Sequence, residues 1–245
     1  MAEQNRKGFN KESNIYIILY STVMVVMVAF LLAFVFQTLK PVQDVNVALD
    51  KKRQILAALN IDNISNDDVA SEYSRIVLAD KIIDREGHTT DEGSRGGEQA
   101  AFMLNSSDYK AGRLGLFVCD VNGNTKYVIP VYGMGLWGPI WGYIAIDSDK
   151  STVYGAYFNH ESETAGLGAE IKDNKAWRDK FRGKKLFADA EHDRQKIALA
   201  VRKPADLKNT ESEVDAITGA TLTSDGVSNM FADCLGKYMK FLNER

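Results

Sequence analysis

The densest chemistry in this chain lies in ten residues, Asp215-Ala-Ile-Thr-Gly-Ala-Thr-Leu-Thr-Ser224. Small residues, one glycine and several hydroxyls stand directly before an amphipathic stretch that reads as a helix. Small residues let a bulky partner approach the backbone. A helix start offers unpaired N–H groups and the positive end of the dipole, which suit a phosphate. A threonine hydroxyl placed there can bind a phosphate or be esterified to one. The same residue types also cap helices, because their oxygens accept from the first free N–H groups. Thr223 and Ser224 are expected in that capping role, with the helix starting near Thr223.

Two further segments have unusual composition. Gly133-Met-Gly-Leu-Trp-Gly-Pro-Ile-Trp-Gly142 packs glycines and two tryptophans into one turn. It reads either as a hairpin whose tryptophans fill the core or as an apolar slot for a flat ring system. His160-Glu-Ser-Glu-Thr-Ala-Gly-Leu-Gly-Ala169 follows one expected strand and precedes a helix. Gly166 and Gly168 free backbone N–H groups, and Glu163 and Thr164 offer polar contacts. A plain strand–helix loop is the alternative. His160 reads as a surface or capping histidine.

These segments must be positioned by a chain of 245 residues with formal net charge −3. No long basic run exists, which argues against nucleic-acid binding. The two cysteines, Cys119 and Cys234, are too few for a four-thiolate iron–sulfur cluster and read as buried free thiols. His88, His160 and His192 fall in no metal-ligand spacing, so no metal site is expected.

Ile15–Phe36 is an uncharged apolar run. At 1.5 Å per residue it spans about 33 Å, enough to cross a bilayer. It is too long for a signal peptide core, and Phe36-Gln-Thr-Leu-Lys40 offers no cleavage site. Arg6, Lys7 and Lys11 precede the run and only Lys40 follows closely, a slight bias toward a cytoplasmic N-terminus. Beyond it, Gln43–Asn60 reads as a helix leaving the membrane, and a short helix runs from Ser65 to about Val77. Leu114–Val121, Lys126–Tyr132, Trp141–Ile146 and Thr152–Phe158 read as strands, the first pair joined at Asn122-Gly-Asn. Lys175–Phe181 reads as a short helix and Ile197–Val201 as a strand. The last helix carries Val227, Met230, Phe231, Cys234, Leu235, Tyr238 and Leu242 on one face. The expected fold is α+β: a single membrane helix, then a curved antiparallel sheet with flanking helices.

In this order, the three motifs and the anchor resemble the covalent FMN-binding subunit of the Na⁺-translocating NADH:quinone reductase. The resemblance covers nearly the whole chain. It departs from the family at Ala165, where proline is usual, and at Thr218, where serine is usual. It implies that Thr221 is esterified to the phosphate of FMN by a separate Mg²⁺-dependent flavin transferase, which uses FAD and releases AMP. Asp215, Thr218, Gly219 and Ala220 would present that threonine. Leu136, Trp137, Glu163, Thr164, Gly166, Leu167 and Gly168 would frame the ring. No general acid, nucleophile or substrate pocket is implied. The implied role is a one-electron relay from an iron–sulfur centre to another flavin, within a multi-subunit Na⁺ pump of the bacterial inner membrane. The implied layout is a cytoplasmic tail over residues 1–14, a transmembrane helix over 15–37, a helical stalk over 38–77 and a periplasmic FMN-binding domain over 78–245. Two other readings stay open. One is the flavoprotein subunit of a ferredoxin:NAD⁺ reductase of the Rnf type. The other is a membrane-anchored binding module without redox function.

Overall fold

The computed structural model describes residues 13–189 and 194–244. Arg6, Lys7, Lys11 and His192 lie outside the described residues. The chain divides into two compact units, Met1–Ala48 and Leu49–Arg245.

Helix α1, Asn14–Ala58, runs through the apolar segment without interruption. It is long and apolar enough to cross a membrane. In the first unit its large apolar residues are exposed, among them Phe30, Leu32 and Phe34. A helix apolar on all sides with nothing packed on it suits a lipid environment. The sequence suggests a separate helix from Gln43. Instead α1 continues past Pro41, although proline removes one helical N–H.

The second unit begins with the end of α1, where Ile55, Leu56 and Ala58 are buried. Helix α2, Val69–Ile76, leads into β1, Val77–Ile83, and β2, Thr89–Asp91. After a short helix α3, Ser106–Lys110, come β3, Leu114–Val121, β4, Asn124–Met134, β5, Pro139–Asp147, and β6, Val153–His160. They form one sheet of order β2-β1-β3-β4-β5-β6, with every neighbouring pair antiparallel. Asn122 and Gly123 both take positive φ, the backbone that a two-residue hairpin of matching twist requires. The four strands expected from alternation are all present. β1 and β2 are additions that the sequence pattern does not announce.

Helices α4, Glu170–Asp173, and α5, Lys175–Asp179, follow the sheet. β7, Ala200–Arg202, and β8, Glu213–Asp215, form a separate parallel pair. Helix α6, Thr221–Leu235, and the short α7, Met239–Asn243, close the fold. Alternation along the strands splits the buried residues between two faces. Ile129, Val131, Ile144 and Phe158 pack in one cluster with Val227, Met230, Phe231 and Leu235 of α6. The end of α1 meets β5 and β6. Trp141 Nε1 donates to Gln54 Oε1 at 3.2 Å, and Asn60 Nδ2 donates to the Tyr154 carbonyl at 2.8 Å. Cys119 and Cys234 are free and buried.

Candidate functional site

Three segments distant in sequence meet where α6 begins. The first is the tip of the β4–β5 hairpin. Gly135 N–H donates to the Gly138 carbonyl at 2.8 Å, so Leu136 and Trp137 form the tip. The second is the loop after β6. Its turn closes on the Thr164 carbonyl, which accepts from Leu167 N at 3.1 Å and Ala169 N at 3.0 Å. Gly166 takes φ +73° there, a conformation that L side chains disfavour. The third is the entry to α6 itself.

Together they wall a cleft of about 370 Å³ lined by Leu136, Trp137, Glu163, Thr164, Leu167, Gly168 and the run 219–223. Of the residues singled out in the sequence, Asp215, Thr218 and Gly166 do not line it. Asp215 is instead bound by Lys180 Nζ at 2.8 Å, and its carbonyl accepts from Trp177 Nε1 at 2.7 Å. Leu222 lines the cleft although sequence reasoning does not single it out; the available signal is an apolar residue set among hydroxyls.

The walls are apolar and open. Leu136, Trp137, Leu167 and Leu222 are all exposed, Trp137 at 65%. Trp137 is therefore not a core residue. Large exposed apolar side chains in one patch mark a binding surface rather than a packing requirement. Thr221 is the first residue of α6, and its hydroxyl makes no hydrogen bond among the described residues. No side chain caps the helix, and its first helical bond runs from Ser224 N to the Ala220 carbonyl. The N–H groups of the first turn are left for a ligand.

The expectation that Thr223 and Ser224 cap α6 is wrong. The helix starts two residues earlier, which places both inside its first turn. Thr223 Oγ1 instead donates to Glu163 Oε2 at 2.5 Å. Ser224 Oγ accepts from Ile217 N at 3.2 Å, tying down the loop before the helix. Glu163 is 7% exposed, and its other oxygen accepts from Trp137 N at 2.8 Å. His160 Nδ1 accepts from Glu163 N at 3.2 Å, a local capping contact. Ser162 Oγ donates to the Trp137 carbonyl at 3.0 Å. Among the described residues, no group of acidic, histidine or cysteine side chains could hold a metal ion.

An apolar slot beside an uncapped helix start and a free hydroxyl suits a flat aromatic ring that carries a phosphate. The class follows: residues 135–236 match the FMN-binding domain family. The match covers all three walls of the cleft. At full length, the NqrC-type subunit of the Na⁺-translocating NADH-quinone reductase of Haemophilus ducreyi is 32% identical over 239 residues, covering 91% of this chain and 90% of its own. A crystal structure of the corresponding subunit from Parabacteroides distasonis superposes with TM-score 0.74 at 36% identity, covering 84% of this chain and 98% of that one. NqrC of Shewanella oneidensis shares the fold at TM-score 0.63 and 24% identity, covering 78% of this chain and 94% of its own. The chain belongs to the NqrC family, the FMN-binding subunits of Na⁺-translocating NADH-quinone reductases.

Proposed function

We propose that the chain carries FMN covalently on Thr221 and relays single electrons within a Na⁺-translocating NADH:quinone reductase. The observation that carries this reading is the cleft, where an unpartnered threonine hydroxyl at an uncapped helix start faces an exposed apolar wall. The residues fit the group. Thr221 supplies the hydroxyl, and the first turn of α6 supplies N–H groups for a phosphate. Leu136, Trp137, Leu167 and Leu222 supply apolar surface for a ring. Glu163 and Thr164 are the polar members of that wall, and Gly166 and Gly168 shape it. When bound, FMN supplies the one-electron redox chemistry, and the protein supplies position and surroundings.

Attachment requires a partner enzyme. Thr221 Oγ forms the ester bond to the FMN phosphorus of FAD, the pyrophosphate bond breaks, AMP departs and the hydroxyl proton is lost. A Mg²⁺-dependent flavin transferase fits that role. Gly219 and Ala220 present little bulk to it, and Asp215 and Thr218 flank the threonine. The membrane helix places the chain in the bacterial inner membrane. We take the N-terminus as cytoplasmic and the flavin domain as periplasmic, with residues 38–77 as the stalk. Electrons would arrive from an iron–sulfur centre and leave to another flavin on partner subunits.

Co-expression with the transferase followed by intact mass measurement under denaturing conditions tests the bond. The native chain gains about 438 Da, roughly FMN less water, and stays yellow after acid precipitation. Thr221→Ala gains nothing. A Thr221→Ala chain that keeps flavin through denaturation would sink the assignment. Electron exchange with ferredoxin instead of NADH and quinone would favour an Rnf-type complex. A colourless native chain would favour a binding module.

A further inference from the structure

We propose that Glu163 acts as a latch, a positioning residue that holds the tryptophan turn to the start of α6 and so fixes the ring wall against the attachment threonine. The proposal rests on the flavin reading above. Both carboxylate oxygens are occupied within the protein: Oε1 by Trp137 N at 2.8 Å and Oε2 by Thr223 Oγ1 at 2.5 Å. Glu163 therefore joins two elements that share no strand pairing, and it does so from a third.

Burial makes this latch specific. A carboxylate this far from water is costly unless strong hydrogen bonds replace its hydration. The two donors supply charge-assisted bonds, the strongest ordinary class. The fold also reserves space for the group. A Cβ at Gly135 would lie 2.5 Å from Oε1, and one at Gly168 would lie 2.3 Å from Oε2. Any side chain at either position would occupy the carboxylate's place. The backbone of Glu163 is fixed in turn by its N–H bond to His160 Nδ1 at 3.2 Å.

The consequence is geometric. Trp137 lies at an exposed hairpin tip, which is free to move unless tied. Thr223 stands two residues beyond Thr221 in the first turn of α6. A bond from the tip to that turn sets the distance between the ring wall and the attachment point. Without it a tethered flavin stays attached but samples open positions.

The test uses the full chain in detergent, loaded with FAD, Mg²⁺ and the flavin transferase. Signals are normalised to flavin attached, as counted by intact mass. Glu163→Gln and Thr223→Val are each expected to raise flavin fluorescence severalfold, because a ring that leaves Trp137 escapes quenching. Thr223→Ser, which keeps the hydroxyl, restores the native signal. The double variant exceeds neither single one, because both remove the same link. Fluorescence per flavin unchanged in both single variants, even with lowered melting temperatures, overturns the latch and leaves the flavin reading intact. A native chain that gains no flavin mass overturns the flavin reading itself. Thr223→Val serves should Glu163→Gln fail to fold, since it leaves the carboxylate and its Trp137 bond in place.

Discussion

Thr221 and Thr223 are two residues apart and chemically alike, yet the fold gives them opposite tasks. One hydroxyl is left without a partner at the cleft, and the other is spent on a buried carboxylate. The first was legible in sequence because its whole motif is contiguous. The second was not, because its partner Glu163 is 60 positions earlier in the chain. Asp149 shows a similar economy in a turn. Its carboxylate accepts from Ser151 N at 2.8 Å, Thr152 N at 2.9 Å, Ser151 Oγ at 3.0 Å and Thr152 Oγ1 at 2.5 Å. Burial alone would raise its pKa, but these bonds outweigh burial and hold it at about 2. An unfolded aspartate titrates near ~3.9, so the folded value is the lower one. The stabilisation is complete above about pH 4 and is lost as pH falls through about 2. Asp149→Ala should cost about 1 kcal/mol at neutral pH, reduced from the sum of the bonds because the side chain is exposed. Chemical denaturation at pH 7 and at pH 2 measures it: the gap between native and variant narrows at the lower pH.

At the scale of elements, α6 is held to the β4–β5 hairpin by backbone contact. A Cβ at Gly226 would stand 2.4 Å from the Met134 carbonyl oxygen. Gly226→Ala gains about 1 kcal/mol of helix propensity. The clash is with backbone paired into the sheet, which cannot move aside as a flexible side chain would. Overpacking costs about 1–3 kcal/mol, so the net effect is destabilising. The variant should melt lower and take up less flavin; a higher melting temperature would refute the contact. The same logic explains which elements were readable. β3 to β6 alternate and their turns carry Asn and Gly. β1 is hidden because Asp80 interrupts its apolar pattern. Asp80 is buried, and it accepts from Ser94 N and Ala100 N at 3.0 Å each and from Phe102 N at 3.4 Å. A charge at a core position signals polar contact only once the loop that satisfies it is known.

For the whole molecule, the apolar length of α1 was the plainest signal in the sequence, while its continuation to Ala58 was hidden by Pro41. The exposed apolar surface of Asn14–Ala48 predicts integral behaviour. The chain should stay with membranes through alkaline carbonate washing and be released by detergent; release by carbonate alone would argue against a spanning helix. The sheet carries its own consequence. β3 pairs with β4 only as far as Phe117 and Val128. Further along β4, Tyr132 still pairs with Trp141 of β5, but no strand covers its other side among the described residues. There the Cys234 thiol accepts from Tyr132 N at 3.3 Å and donates to the Tyr132 carbonyl at 3.2 Å. Burial raises the pKa of this thiol, which keeps its proton available for that bond. One sulfur thus stands in for a missing strand, and the uncovered stretch of β4 is closed to any neighbouring copy seeking an edge to extend. Cys234 is, in this sense, a guard against self-association.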